Sequence, residues 1–255
     1  LFPLEYGPIA ILRTGKQVGL KRMFWGCPSK NFWLVGLGNA VKVSSNHGPP
    51  MEKIQRLLCD WLETAIIDAP CVRGVGPVFM GGFRFDPMGP RCDLWEDFPN
   101  GCLTLPRFLF TYTEGNCWLT INSLIDPFVD TEAVCESVSQ ILQSVMKESA
   151  NCVGFRDSAP PLPTLAPTSS AEWSQNIGEI LKAIENGHLA KAVLARRMIL
   201  RSVSEFSLES VLQQLTRTHP ACSVFGVEVG KSIFVGATPE VLVQIEGGNL
   251  SLSCL

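Results

Sequence analysis

Hydrophobic residues along the chain follow two patterns: short apolar runs, and longer segments in which apolar residues recur every three or four positions. The short runs, several of them rich in aromatic residues, predict strands over residues 32–41, 78–85, 107–112, 117–122, 191–200, 222–229, 232–235, 241–245 and 250–255. The longer segments predict amphipathic helices over residues 51–67, 131–147, 172–186 and 207–217. Hairpin turns join several strands, as at Glu114–Asn116. This order of elements indicates the α+β class with antiparallel sheets.

The segment from residue 158 to residue 170 divides the chain. It holds four prolines in a context rich in serine and threonine, a composition that disfavours regular structure. We therefore predict an N-terminal α+β region over residues 1–157, a linker or surface loop over residues 158–170, and a second region over residues 171–255.

Composition and charge exclude several classes of protein. A chain with 46% hydrophobic and 18% charged residues is not a disordered one. The 21 basic and 24 acidic residues give a net charge of −3, which lacks the basic footprint of a nucleic-acid-binding domain. No stretch approaches the roughly 20 apolar residues of a membrane helix. Because the sequence starts at Leu1 without a basic and apolar leader, we expect a removed targeting segment or a piece of a longer chain.

The ten cysteines of the chain are scattered, and the closest two are ten residues apart. No CxxC pair occurs, so the spacings of zinc sites and thioredoxin-like motifs are absent. Several cysteines lie in apolar contexts, as at residues 57–59 and 133–135. We therefore interpret the cysteines as buried, reduced thiols in a reducing compartment.

Several familiar catalytic motifs are missing from the sequence. The pairs Gly36–Gly38 and Gly74–Gly76 lack the further residues that phosphate-binding loops require. The three histidines are isolated and show no metal-ligand spacing. A Gly-x-Ser-x-Gly sequence, which would present the nucleophilic serine of a hydrolase, does not occur.

Two charged residues next to predicted strands are candidates for proton transfer. Lys191 opens an apolar run directly after a helix, and a lysine that loses its hydration there can act as a base. From spacing alone, a lysine that extends its amine into water is the favoured alternative. Glu240 follows a Gly-Ala-Thr-Pro turn, where a partly desolvated carboxyl can act as an acid; the alternative is a capping or exposed glutamate. Together the two groups would suit a hydroxyl exchange on a small molecule.

Two sequence motifs resemble signatures of the chorismate-utilising enzymes. The sequence Lys191-Ala-Val-Leu-Ala-Arg196 resembles their Lys-Val-Val-Leu-Ala-Arg motif, and residues 234–242 resemble Phe-x-Gly-Ala-Thr/Ser-Pro-Glu-x-Leu. Both motifs occur in the expected order. The lysine of the first motif favours isochorismate and salicylate synthases over anthranilate and aminodeoxychorismate synthases. Further segments similar to plant and bacterial isochorismate synthases are residues 32–40, 81–86 and 105–107.

The resemblance implies a layered αββα sandwich, of which this chain would hold only the N-terminal part, and the conversion of chorismate to isochorismate. Lys191 would be the general base that activates water, and Glu240 the general acid that protonates the departing hydroxyl. Gly236, Ala237 and Thr238 would contribute to substrate binding. Magnesium would hold the substrate carboxylate through ligands in a C-terminal segment outside this chain. Without these ligands the chain alone is expected to be inactive.

Two hypotheses stay open at this point. The chain is either an isochorismate synthase of phylloquinone, menaquinone or salicylate biosynthesis that requires its other half, or a catalytically silent scaffold or remnant module. The second hypothesis arises because the chain resembles the first module of a plant multifunctional protein, whose downstream quinone-pathway modules would be its partners. The plant-like resemblance implies the chloroplast stroma, with the cytoplasm as the alternative. An open sheet edge after residue 252 would favour association of the isolated chain.

Overall fold

A computed structural model describes residues 7–46, 50–86, 88–89, 93–125, 130–151, 164–165, 170–196 and 198–252. The helices are α1 (Pro8–Gln17), α2 (Pro50–Thr64), α3 (Thr131–Asn151), α4 (Ser170–Glu185) and α5 (Leu208–Thr218). The strands are β1 (Arg22–Cys27), β2 (Phe32–Leu37), β3 (Val41–Ser45), β4 (Met80–Phe83), β5 (Gly101–Leu105), β6 (Phe108–Thr113), β7 (Asn116–Ile121), β8 (Thr164–Leu165), β9 (Leu200–Arg201), β10 (Ser223–Val229), β11 (Ser232–Thr238), β12 (Val243–Glu246) and β13 (Asn249–Leu252). Short 3₁₀ helices lie at Pro28–Lys30 and Asp93–Trp95.

The chain divides into two compact units. The larger unit combines Leu1–Phe155 with Leu208–Leu255, and the smaller unit is Arg156–Ser207. The larger unit contains a six-stranded sheet in the order β11-β10-β1-β2-β6-β7, a three-stranded sheet β3-β5-β4, and the hairpin β12-β13. Every described strand pair is antiparallel, which confirms the predicted α+β class. Among the described residues, no helix combines the length and apolar character needed to cross a membrane.

Both faces of the six-stranded sheet are covered by hydrophobic clusters. One cluster joins α1 and α5 to one face through Ile11, Leu12, Phe24, Val35, Phe110, Leu212 and Val224. The other contains Met23, Phe32, Leu34, Met80 and Leu109. Because successive residues of a strand point to opposite faces, neighbours such as Met23 and Phe24 enter different clusters. This two-sided burial explains why the strands are continuous apolar runs rather than alternating ones.

The four predicted helices are confirmed with small shifts at their ends. The Glu114–Asn116 hairpin is confirmed as well, since β6 pairs with β7 and both Glu114 and Gly115 have the positive φ angles, 51° and 79°, that a tight turn requires. The predicted linker lies outside the described residues except for β8 and Ser170. The predicted domain boundaries remain a prediction, although α5 and the strands after it belong with the first 155 residues.

The predicted strand over residues 191–200 is wrong. Residues 191–196 have no regular structure, and only Leu200 and Arg201 form a strand, β9, which pairs with β8. An apolar run becomes a strand where a neighbouring strand satisfies its backbone hydrogen bonds. No described strand lies beside residues 191–196, and the side chain of Val193 is 87% exposed.

The interpretation of the cysteines as buried thiols holds for only part of the described set. Cys27 and Cys117 are buried and free, and burial raises the pKa of the Cys117 thiol to about 11. Cys59 and Cys135 are exposed, because their apolar sequence contexts lie on amphipathic helices that turn these positions to solvent. Cys71 is exposed as well. Apolar neighbours in the sequence therefore do not show that a cysteine is buried in the fold.

A buried arginine connects β1, β10 and α5. The guanidinium of Arg22 donates two hydrogen bonds to the Glu228 carboxylate, at 2.9 and 2.5 Å, and the Arg22 backbone N–H donates another at 2.9 Å. The same guanidinium also bonds Glu209 in the first turn of α5. Burial opposes the charge, but the hydrogen bonds and charges of Glu228 and Glu209 outweigh it and raise the pKa of Arg22.

We predict that Arg22→Met destabilises the larger unit by about 3–5 kcal/mol, because it leaves two carboxylates without their buried cation. The control is Arg73→Met, which removes an exposed ion pair to Glu246 with a nitrogen–oxygen distance of 3.7 Å and should cost less than about 1 kcal/mol. Urea denaturation at neutral pH measures both free energies of unfolding. Equal losses in the free energy of unfolding of the two variants would contradict the predicted contribution of Arg22 to stability.

Candidate active site

The motif of residues 234–242 begins on strand β11, at the edge of the six-stranded sheet, and continues beyond the end of the strand at Thr238. β11 pairs with β10 in the register that sets Gly236 opposite Phe225 and Ala237 opposite Val224. The other edge of β11 pairs with no described strand. The motif therefore lies where its backbone remains available on one side.

Gly236 and Ala237 have clear packing roles in this strand. A methyl group at Gly236 would lie 2.7 Å from the Phe225 ring, so only glycine lets that ring lie across the strand. Ala237 packs against the hydrophobic cluster beneath α5. Whether Gly236, Ala237 and Thr238 also bind substrate remains a prediction.

Glu240 follows the end of β11 and is exposed. Its backbone N–H donates a 3.1 Å hydrogen bond to the Thr238 hydroxyl, which fixes the chain direction on either side of Pro239. The expectation of a partly desolvated carboxyl is thus wrong in this structure. The exposed position corresponds to the alternative interpretation, and the acid role of Glu240 remains a prediction.

Lys191 follows the well-defined end of α4 in the smaller unit. Gly187 adopts a φ of +73°, and its N–H bonds the Ile184 carbonyl at 3.0 Å while the His188 N–H bonds the Ala183 carbonyl at 2.9 Å. These two bonds form a Schellman motif, which ends the helix. Lys191 itself is exposed in the irregular segment beyond, so the predicted buried strand mouth is wrong.

The two proposed proton-transfer groups belong to different units. Lys191 lies in Arg156–Ser207, and Glu240 lies in Leu208–Leu255 of the larger unit. Each side chain is exposed to solvent in its own surroundings. Their meeting at one substrate remains a prediction.

Asp97 anchors the turn that leads into β11. Its carboxylate accepts hydrogen bonds from the Ser232 hydroxyl at 2.7 Å and from the Lys231 backbone N–H at 3.0 Å. These bonds lower the pKa of Asp97, with the Ser232 hydroxyl as the largest cause. Gly230 has a φ of +58°, and a methyl group there would lie 2.6 Å from the Asp97 carboxyl. Lys21 adds a 2.6 Å hydrogen bond to the Gly230 carbonyl.

Aromatic side chains pack around Phe234 on β11, close to the turn that Asp97 holds. Trp95 lies edge-on to Phe234 with ring centres 5.1 Å apart, and Phe225 lies 5.3 Å from Phe234 on the neighbouring strand. Phe98 contacts Trp95 at 5.5 Å. Sequence reasoning missed this anchor, because 134 positions separate Asp97 from Lys231 and no local pattern links them.

The described residues do not fit a magnesium ion. They contain no group of three or more His, Cys, Asp or Glu side chains that could hold a metal. A cavity of about 410 Å³ lies among residues of α1, β1, β2 and α5, including Phe24, Trp33 and Arg217, and none of the predicted site residues lines it. The sequence-based assignment of metal ligands to a segment outside this chain remains a prediction.

Comparison with protein families gives a match over nearly the whole chain. The family model described as "Chorismate binding enzyme" matches residues 3–255. The isochorismate synthase MenF of Bacillus subtilis (strain 168) is 28% identical over 97% of this chain and 53% of its own length. The salicylate biosynthesis isochorismate synthase of Pseudomonas aeruginosa is 26% identical over 89% of this chain and 46% of its own length.

A solved structure shows the same fold. MenF, the menaquinone-specific isochorismate synthase from Escherichia coli, superposes on 95% of this chain and 50% of its own chain, with a TM-score of 0.57 and 20% identity. The chain thus spans about half the length of the relatives it matches.

The Asp97 anchor predicts a stability difference that depends on pH. A carboxyl with a lowered pKa in the folded state stabilises the protein above its unfolded pKa, and this contribution disappears as the pH falls through the folded value. We therefore expect Asp97→Asn to be less stable than wild type at neutral pH, and the difference to shrink on acidification below about pH 4. Thermal denaturation of both proteins across this range measures it. A difference that is constant with pH would contradict the role of the charge.

Proposed function

The chain belongs to the chorismate-binding enzyme family, and we propose that it supplies part of an isochorismate synthase. The observation that carries the proposal is the 28% identity to an isochorismate synthase over 97% of the chain, together with Lys191 in the first family motif. The substrate would be chorismate and the product isochorismate.

The proposed reaction adds a hydroxyl group from water at C2 of the substrate ring and removes the hydroxyl group at C4. Lys191 would take a proton from water as the water oxygen bonds to C2, and both ring double bonds shift toward C4. Glu240 would protonate the hydroxyl that leaves C4 as water, so oxygen and hydrogen balance and nothing is oxidised. Two features support the proposal: both residues occupy their positions in the family motifs, and the Thr238 hydroxyl holds the backbone of Glu240.

The proposal includes a magnesium ion but assigns none of its ligands to this chain. The described residues contain no cluster that could hold the ion, and by the family resemblance its ligands would lie in a C-terminal segment outside this chain. When bound, it would neutralise charge on the substrate carboxylate. The contribution of this chain would be the two proton-transfer groups and the strand that carries one of them.

Pathway and location are further parts of the proposal. The relatives are named for menaquinone and salicylate biosynthesis, and by the plant-like resemblance we extend this chain to phylloquinone biosynthesis in the chloroplast stroma. A catalytically silent module would have the same fold. The activity assay below separates it from the enzyme.

We expect residues 1–255 alone to show no conversion of chorismate, and activity to appear when the chain is combined with the part of the Bacillus subtilis relative that it does not match. In the active combination, Lys191→Ala and Glu240→Gln should each lower kcat by about 10²- to 10⁴-fold, because each removes a proton-transfer group. Isochorismate formation is measured by coupling to a downstream lyase.

The matched controls are Lys182→Ala on α4 and Glu136→Gln on α3, two exposed residues outside the proposed site. Both should retain the activity of the combination. Turnover by residues 1–255 alone would refute the need for a second part. Full activity of either site variant would refute its assigned role, and a combination that folds but never turns over chorismate would favour the silent module.

A further inference from the structure

The guanidinium of Arg196 lies over the indole ring of Trp173 in the smaller unit. Its central carbon is 5.1 Å from the ring centre, within the range of about 6 Å over which an aromatic face attracts a cation. Tryptophan is the aromatic residue that attracts cations best, and a planar guanidinium can stack on its ring. Arg196 is also the last residue of the first family motif. The contact therefore attaches the end of this motif to helix α4, which carries Trp173.

The other end of the motif segment, residues 188–196, is attached to the same helix. The backbone N–H groups of His188 and Leu189 both donate hydrogen bonds to the Ala183 carbonyl, at 2.9 and 3.2 Å. Lys191 follows directly after these bonds and Ala190. It therefore lies between two attachments to α4, one at each end of the motif segment.

The two attachments fix the direction of the motif segment. Trp173 lies in the first turn of α4 and Ala183 in its last turn, so about 15 Å of helix axis separates them at 1.5 Å per residue. The chain from His188 to Arg196 spans at most roughly 26–29 Å when fully extended. Arg196 reaches Trp173 because the segment runs back along α4, antiparallel to the helix.

Between the two attachments the motif segment has little other support. Residues 191–196 have no regular structure, and no backbone hydrogen bond joins residues 190–195 to another residue that the structure describes. The side chain of Val193 is 87% exposed, so packing at this position does not hold the segment. The course of the backbone at Lys191 therefore depends on the attachments on either side of it.

A general base requires a backbone that brings its proton-accepting atom to the substrate. The Lys191 amine has to come within about 2.6–3.2 Å of the oxygen that loses the proton. A misplacement of about 1 Å can cost on the order of 10²-fold in rate. Because a lysine side chain is long and flexible, the position of its backbone decides where the amine can reach. The contact of Arg196 with Trp173 supplies such a constraint on the backbone.

We propose that Trp173 is a positioning residue: by holding Arg196 on its ring, it fixes the course of the motif segment and with it the position of the Lys191 amine. In this assignment Arg196 acts through Trp173 and does not contact the substrate. The inference rests on the proposed function for the role of Lys191, whereas the attachment of the motif segment to α4 is tested without turnover.

The rate of trypsin cleavage after Lys191 measures the attachment in the full 255-residue chain. Trp173→Leu removes the ring, and Arg196→Met removes the cation at an exposed position, where the fold should be unaffected. Loss of an exposed cation–π contact changes an equilibrium by about two- to fivefold, and cleavage follows the population of the detached segment. We therefore expect each variant to be cleaved about two- to fivefold faster than wild type, and the double variant no faster than either.

The matched control is Trp61→Leu, which removes another half-buried helical tryptophan. Trp61 lies on α2 and stacks on Phe79 instead of an arginine. This variant should be cleaved after Lys191 at the wild-type rate. Thermal melting checks the fold of every variant.

Kinetics of the active combination with the unmatched part of the Bacillus subtilis relative test the positioning role. We expect Trp173→Leu and Arg196→Met to lower kcat alike, by about two- to fivefold, with KM changed by less than about twofold. Trp173→Phe should lie closer to wild type, because it keeps an aromatic face. In a Lys191→Ala background, Trp173→Leu should cause no further loss, since its effect passes through the lysine.

Several results would overturn the inference. One is equal cleavage after Lys191 in wild type, Trp173→Leu and Arg196→Met. Another is a rise in KM above about tenfold confined to Arg196→Met, since Arg196 would then contact the substrate. A further loss from Trp173→Leu in the Lys191→Ala background would show that the ring supports the fold rather than the lysine. If the combination never turns over chorismate, the proposed function fails, and the cleavage rates by themselves support or refute the attachment.

Discussion

The antiparallel pairing of β1 with β10 is the constraint on which the larger unit depends. It joins residues 23–26 to residues 224–227, so the six-stranded sheet is assembled from both ends of the chain. The Arg22 guanidinium holds this pairing together, because it is buried and bonds both Glu228 on β10 and Glu209 on α5. Without this pairing, β10 and β11 would have no sheet to join.

The pairing of β1 with β10 also fixes the position of β11, the strand on which the second family motif begins. β11 is held on one side by β10, at its turn by Asp97, and on its face by the rings of Trp95 and Phe225. Its other edge and the following hairpin are open. One side of the motif is thus held in place by the fold, while the other edge of β11 pairs with no described strand.

The sequence was informative where the signal is local. The helical periodicity of residues 131–147 and the Glu114–Gly115 turn gave elements that the structure contains, because spacing and positive φ act within a few residues. The two motifs likewise identified the family now shown by comparison. The strand over residues 191–200 failed, since strand formation depends on a partner that an apolar run does not specify. The hydrogen bonds of Arg22 and Asp97 could not be predicted from the sequence either. Their partners Glu228 and Lys231 lie 206 and 134 positions away, and no local pattern links them.

The larger unit consists of two separate stretches of the sequence, and this determines when its sheet can be completed during synthesis. On the ribosome, β2 follows β1 at once, whereas the other edge of β1 waits until residues 224–227 emerge. At about 5–20 residues per second, roughly 10–40 s pass between synthesis of Cys27 and of Ser223. During that interval the nascent chain carries an open strand edge and an arginine whose two carboxylates do not yet exist. Completion of the six-stranded sheet therefore has to wait for the synthesis of β10.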